Sequence, residues 1–213
     1  KKRRRYKIIN RFDYYKPTSG YRKSNGDSVL NELLDNLSFF DKIGLKRSQP
    51  QKEFHIAMVQ ANIKNIYKEN FGKNYLQILE KYPFLGTELR QEILICCPRR
   101  FGKTFATAMF VTACLLSIPE IKIAIFSPGR RQSMMLLDLI RDFVIKFPRG
   151  ASKIETKNQE KMVIRGNSPI EKRTVWAYPS SVKTLKGVGG DIIILEEMAV
   201  IDTRVFFEVV VPL

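Results

Sequence analysis

An apolar run, a short basic turn, a Gly-Lys-Thr triplet and an apolar stretch of helical length follow one another in the middle of this chain. No other stretch constrains the fold as tightly. The run is Ile93 to Cys97, the turn is Pro98-Arg99-Arg100-Phe101, the triplet is Gly102-Lys103-Thr104, and the helical stretch is Phe105 to Leu116. That order predicts a strand, a phosphate-binding loop and a helix.

The chemistry of a triphosphate asks for these residue types. Its oxygens need backbone N–H groups curled around them and the positive end of a helix dipole beneath, and a glycine at position 102 leaves room for that approach. Lys103 is placed to reach the β and γ phosphates, and the Thr104 hydroxyl to hold Mg²⁺. Cys97 stands where the usual pattern has its first glycine. The predicted ATP cradle is therefore Cys97, Pro98, Arg99, Arg100, Phe101, Gly102, Lys103 and Thr104.

A second element reaches Glu196, 93 positions after Lys103. Ile192-Ile193-Ile194-Leu195 has the composition of a buried parallel strand and ends in Glu196-Glu197. Two carboxylates at the end of such a strand are costly unless they face a metal or a polar crevice. Glu196 is expected to help hold Mg²⁺, together with Thr104, and Glu197 to polarise an attacking water.

Alternation of strands and helices predicts an α/β domain with a mostly parallel central sheet. The separation of the two motifs leaves room for two strand-bearing units, which favours a RecA-like P-loop NTPase. Strands are expected at Ile121–Phe126 and Thr174–Tyr178, a hairpin at Lys153–Arg165, and a helix whose apolar stripe is Met134, Leu137, Ile140, Phe143 and Val144. Ahead of the loop, helical patterns run from Ser28 through Leu37, from Gln51 to Tyr67, and from Tyr75 to Tyr82, with Phe71-Gly72 read as a loop. The predicted organisation is a basic tail over 1–27, a helical adaptor over 28–86 and an ATPase core over 87–213. A last apolar helix is expected from Val205 to Val211.

Composition bears on partners. The formal charge is +16, and Lys1 to Lys23 holds ten basic residues against one acid, Asp13. Such a balance favours a polyanion, with nucleic acid the commonest. Arg130 and Arg131, just past the Ile121–Phe126 strand, could face a nucleic-acid backbone or a neighbouring phosphate, or be a solvated helix start. The three cysteines, Cys96, Cys97 and Cys114, lack zinc-ligand spacing and read as small buried apolar residues in a reducing compartment. No signal peptide or membrane-length apolar run is apparent, so a soluble intracellular protein is expected. Gln49 or Gln51 could read an adenine edge, since an amide both donates and accepts. His55 reads as a packed or surface residue, and Trp176 as core.

Taken together, these residues resemble the ATPase domain of the large terminase subunit, the DNA-packaging motor of tailed phages and herpesviruses. Pro98-Arg99-Arg100-Phe101-Gly102-Lys103-Thr104 looks like that family's deviant Walker A motif, and Ile192 to Glu197 like its Walker B. Ser127-Pro128 with Gln132, and Lys186-Gly187 before Asp191, are similar to two further family segments. The resemblance implies that Arg99 contacts the γ phosphate. It implies double-stranded DNA, a capsid portal and other packaging subunits as partners, a homo-oligomeric ring, and action in a host nucleus or at a virus assembly site. The family's coupling strand and nuclease domain are not met before Leu213, so a partial ATPase domain is expected. A superfamily-2-like helicase or translocase shares the same core. A non-catalytic nucleic-acid-binding module with a vestigial P-loop is the reading from another class.

Overall fold

The structure, a computed structural model, describes residues 25–86, 90–168, 170–180, 189–205 and 207. The basic tail, the Lys186-Gly187 segment and most of the expected Val205–Val211 helix lie outside these residues.

The chain opens with α1 (Asn25–Lys42), in which Leu30, Leu33, Leu37 and Phe40 recur at helical spacing and are all buried. Asp27, buried in the first turn, accepts from Tyr67 Oη at 2.5 Å and Lys81 Nζ at 2.7 Å, which fastens α1 to the helices that follow. Next comes α2 (Gln49–Ala61), started by a reciprocal capping box in which Ser48 Oγ accepts from Gln51 N and Gln51 Oε1 accepts from Ser48 N. The expected continuous helix to Tyr67 is broken. Asn62 turns its amide back onto Met58 O at 2.8 Å and ends α2, so α3 (Ile63–Tyr67) is a separate turn. Helix α4 (Phe71–Lys81) begins at Phe71 and takes in Gly72, where the sequence pattern predicts a loop.

Helix α5 (Lys103–Ser117) is the centre of the molecule. It is buried continuously from Ala106 to Ser117 and packs against α1, α2 and α6 (Arg130–Lys146). A helix apolar on all sides has to be surrounded in this way. Strand β1 (Lys122–Ser127) precedes α6, and α7 (Gly150–Lys153) leads into β2 (Ile154–Lys157), β3 (Lys161–Arg165), β4 (Lys172–Pro179) and β5 (Ile192–Leu195). The short α8 (Thr203–Val205) comes last.

The five strands form one sheet in the order β2-β3-β4-β1-β5. Strand β1 pairs parallel with β4 and with β5, whereas β2, β3 and β4 pair antiparallel. The fold is thus mixed α/β with an open sheet whose centre is parallel. The expected hairpin and the two expected strands are present.

The sheet sorts its side chains by parity. Ile123, Ile125, Met162, Ile164, Val175, Ala177, Ile192 and Ile194 join the main core with the helices, and α1 to α4 share that core with α5 and α6. Ala124 and Phe126 lie on the opposite face with Tyr178, Ile193, Leu195 and Ile201. Trp176 has this second parity and is half-buried rather than core, with Lys161 Nζ 5.7 Å from its ring centroid.

Two expectations fail near the middle of the chain. Ile93–Cys97 forms no strand and has no regular secondary structure. Ile93, Leu94 and Cys96 are exposed, and only Ile95 and Cys97 are half-buried. A strand needs a neighbour to complete its ladder, and no described strand lies in register with this one. Consequently Cys96 is exposed and Cys97 half-buried, and of the three cysteines only Cys114 is buried. In the same way β5 is an edge among the described strands, so Ile193, Ile194 and Leu195 are half-buried and only Ile192 is fully covered.

Candidate phosphate-binding site

The loop before α5 is shaped by two left-handed residues. Arg100 has φ +67° and Gly102 φ +81°. The dihedral calls for glycine, and a Cβ on residue 102 would lie 2.9 Å from Gln51 Nε2 and displace that amide. Gly102 is also the residue ahead of the first turn of α5, and no side chain caps that turn. The positive end of a 15-residue helix is therefore available to an anion.

Across from this turn stands the end of β5. Backbone N–H of Glu196 donates to Phe126 O at 2.9 Å, continuing the ladder by one residue. That bond places the Glu196 carboxylate beside α5, where Thr104 Oγ1 donates to its Oε1 at 2.5 Å. Cys97 is part of the same cluster. Burial pushes its thiol up, Lys103 pulls the other way, and Cys96 and Glu196 reinforce the rise. Cys97, Gly102, Lys103, Thr104 and Glu196 thus converge, although the two motifs are far apart in sequence. Phe101 packs towards Phe54, with ring centroids 6.4 Å apart.

Other expected site residues are placed but not bonded. Arg99, Arg100 and Glu197 are exposed, and their side chains have no partner among the described residues. Glu197 begins the turn after β5 with φ +52° and ψ +45°, a left-handed conformation unusual for glutamate. Among the described residues no cluster of three or more His, Cys, Asp or Glu could enclose a metal. One hydroxyl and one carboxylate suit Mg²⁺, which keeps most of its waters and phosphate ligands.

Gln51 lies at this site in a different posture from a free base reader. Its Oε1 serves the capping box and its Nε2 donates to Phe101 O at 3.1 Å. Gln49 is exposed and donates to Glu53 Oε1 at 3.3 Å. At the end of β1, Arg130 Nη2 donates to Gln159 Oε1 at 2.6 Å, and Arg131 is exposed. Ser127 Oγ there is buried without a partner.

His55 was legible only as a packed or surface residue, yet it sits directly behind the loop. It is fully buried, and its ring spans Arg47 Nη1 on Nδ1 at 3.2 Å and Ala106 O on Nε2 at 2.9 Å. A carbonyl can only accept, so Nε2 carries the proton and Nδ1 accepts from the guanidinium. Arg47 in turn grips Asp41 through Nε and Nη2. Burial pulls the Asp41 carboxyl up, but its bonds from Arg47 outweigh that and hold it below its ordinary value. Burial lowers His55 to about 4 from 6.5, with the Ala106 bond opposing and the Arg47 charge adding to the fall.

A pH dependence follows. Below pH 6.5 the unfolded chain takes up a proton that the folded chain refuses until about pH 4. His55 therefore contributes stability that is fully present above 6.5 and is lost as pH falls through 4, about 3 kcal/mol over the window. Urea midpoints measured from pH 7 to 4 should decline more steeply for the parent than for His55→Gln. Equal slopes would remove His55 as the cause.

No family model matches the chain, and no curated protein matches it. Among the described residues no helix is long and apolar enough to cross a membrane.

Proposed function

We propose that this chain binds ATP with Mg²⁺ at the loop 97–104 and hydrolyses it, as the motor domain of a DNA-packaging large terminase subunit. The observation that carries the nucleotide reading is the 2.5 Å bond between Thr104 Oγ1 and Glu196 Oε1 beside the uncapped start of α5. A helix dipole, a lysine, a hydroxyl and a carboxylate then share one small region, which is the donor set a magnesium polyphosphate requires. Gly102 adds to the fit, since any side chain there would meet Gln51.

In this reading the first-turn amides of α5 and the Lys103 ammonium bind the phosphates. Thr104 and Glu196 hold Mg²⁺, which when bound offsets phosphate charge. Arg99 swings from its exposed position to the γ phosphate, and Glu197 orients the attacking water and receives its proton. Double-stranded DNA is the substrate moved. The net +16 charge supports a polyanionic partner, and the portal, companion subunits and ring assembly come from the terminase resemblance.

A second reading has one observation in its favour. The unpaired state of Ile93–Cys97, with Cys97 in the loop, fits a nucleic-acid-binding module whose phosphate site is vestigial. Equilibrium binding of a fluorescent ATP analogue with Mg²⁺ separates the two. The parent should bind and Lys103→Ala should lose binding by about a hundredfold, since a charge-assisted bond contributes roughly 1.5–3 kcal/mol and Lys103 makes more than one. Absence of binding by the parent would leave the vestigial module as the better account.

A further inference from the structure

Helix α2 holds the phosphate loop at both ends. Gln51 and His55 are i and i+4 on that helix and so share a face. Gln51 Nε2 donates to Phe101 O, immediately before the loop glycine, and His55 Nε2 donates to Ala106 O, in the first turn of α5. Between these two anchor points lie Gly102, Lys103, Thr104 and Phe105. The His55 ring is itself fixed from behind by Arg47, and Arg47 by Asp41 at the end of α1. A continuous line of hydrogen bonds thus joins α1 to the start of α5.

We propose that His55 is a positioning residue of the phosphate loop, so that the affinity of the loop for a polyphosphate is set from α2 and, through Arg47, from the end of α1. The inference rests on the polyphosphate reading above. Its physical basis is the Ala106 carbonyl, which belongs to the turn whose amides would face the phosphates. A second donor on that carbonyl fixes the tilt of its peptide plane. Without the donor, a buried carbonyl and a buried guanidinium both lose a partner, and the turn relaxes towards whatever satisfies them. Glutamine can reproduce the arrangement, giving its N–H to Ala106 O and its oxygen to Arg47. Leucine fills the space but offers neither.

The test uses the full chain as His55→Gln and His55→Leu, with two probes, the fluorescent ATP analogue with Mg²⁺ and inorganic pyrophosphate as its competitor. Affinities are taken at a temperature where circular dichroism shows each variant folded. His55→Leu should bind both probes about tenfold more weakly, the equivalent of one buried hydrogen bond, while His55→Gln stays within about threefold of the parent. Equal losses for both probes are expected because pyrophosphate lacks a base. Parent-like binding by His55→Leu, or equal weakening in the two variants, would overturn the proposal and make His55 a packing residue. If His55→Leu does not fold, Asp41→Asn alters the far end of the same line at a half-exposed carboxylate. It should weaken both probes by about threefold, and unchanged binding would overturn the proposal. A parent that binds neither probe overturns the polyphosphate reading and this inference with it.

Discussion

Replacing Arg173 by alanine is expected to destabilise the fold by about 3–5 kcal/mol, the cost of breaking a buried ion pair from one side. Arg173 is on β4 with a side chain 1% exposed. Its Nε donates to Glu171 Oε1 at 2.7 Å, and its Nη1 donates to Leu115 O at 3.2 Å and to Leu116 O. The guanidinium therefore closes the carboxyl end of α5, where the helix dipole favours a cation. The substitution would take the guanidinium from those carbonyls, leave the Glu171 carboxylate only its backbone donors such as Asn167 N–H, and open a cavity against α5. Burial pushes the nearby Glu32 carboxyl up while Arg173 pulls it down, so Glu32 would lose that support as well. For a chain of this size the midpoint of thermal unfolding should fall by about 10 °C. Glu171→Gln should cost less, because the carbonyl bonds persist. A change within 1 kcal/mol for Arg173→Ala, roughly the typical surface effect, would mean that α5 ends without this cap.

The second large effect concerns activity. Glu197→Gly is expected to hold or raise stability by up to about 1 kcal/mol, because glutamate in the left-handed region carries a strain that glycine does not. Under the proposed ATPase reading, turnover of ATP should nevertheless fall by about a hundredfold or more, the usual contribution of a positioned general base. Glu197→Gln should show the same loss of turnover with ATP binding retained. The pairing matters, since Lys68, Glu120 and Arg149 share a positive φ away from the loop, and only the turnover measurement separates a strained turn from a working residue. Undiminished turnover in either variant would take Glu197 out of the mechanism, and a clear loss of stability in Glu197→Gly would show that the turn needs its side chain.

Much of this architecture is legible from residue spacing alone. Ile121–Phe126 and Thr174–Tyr178 alternate or run apolar as strands do, so β1 and β4 could be placed within a residue or two, and the stripe from Met134 to Val144 repeats as a helix does and marks α6, though not its start at Arg130. The convergence of Thr104 and Glu196 was also readable, because each lies at the end of an element whose direction the pattern fixes. What escaped is what depends on neighbours. Ile93–Cys97 has strand composition, but periodicity cannot supply a pairing partner. Asn62 breaks a helix by a side-chain bond to its own backbone, which competes with a propensity that favours continuation. Gln51 looked free to read a base because its bond to Phe101 spans 50 positions. Arg173 follows Lys172 in a run that resembles a solvated strand start. Its burial against α5 has no local signature, and only the alternation with Val175 and Ala177 on the core face hints at it.

The two limbs of the loop around Gly102 differ mechanically. Downstream, the chain runs straight into α5, buried from Ala106 onward and enclosed by three helices, so that limb moves only with the whole interior. Upstream, residues 93–97 have no ladder among the described strands to stiffen them. The two sides therefore differ in degree: moving Arg99 or Arg100 has to open only the turn that Phe101 N–H closes on Pro98 O, whereas moving Lys103 or Thr104 has to drag the core. Such a loop is stiff from its Phe101 anchor on α2 into α5, and its two arginines ride on the turn just upstream of that anchor.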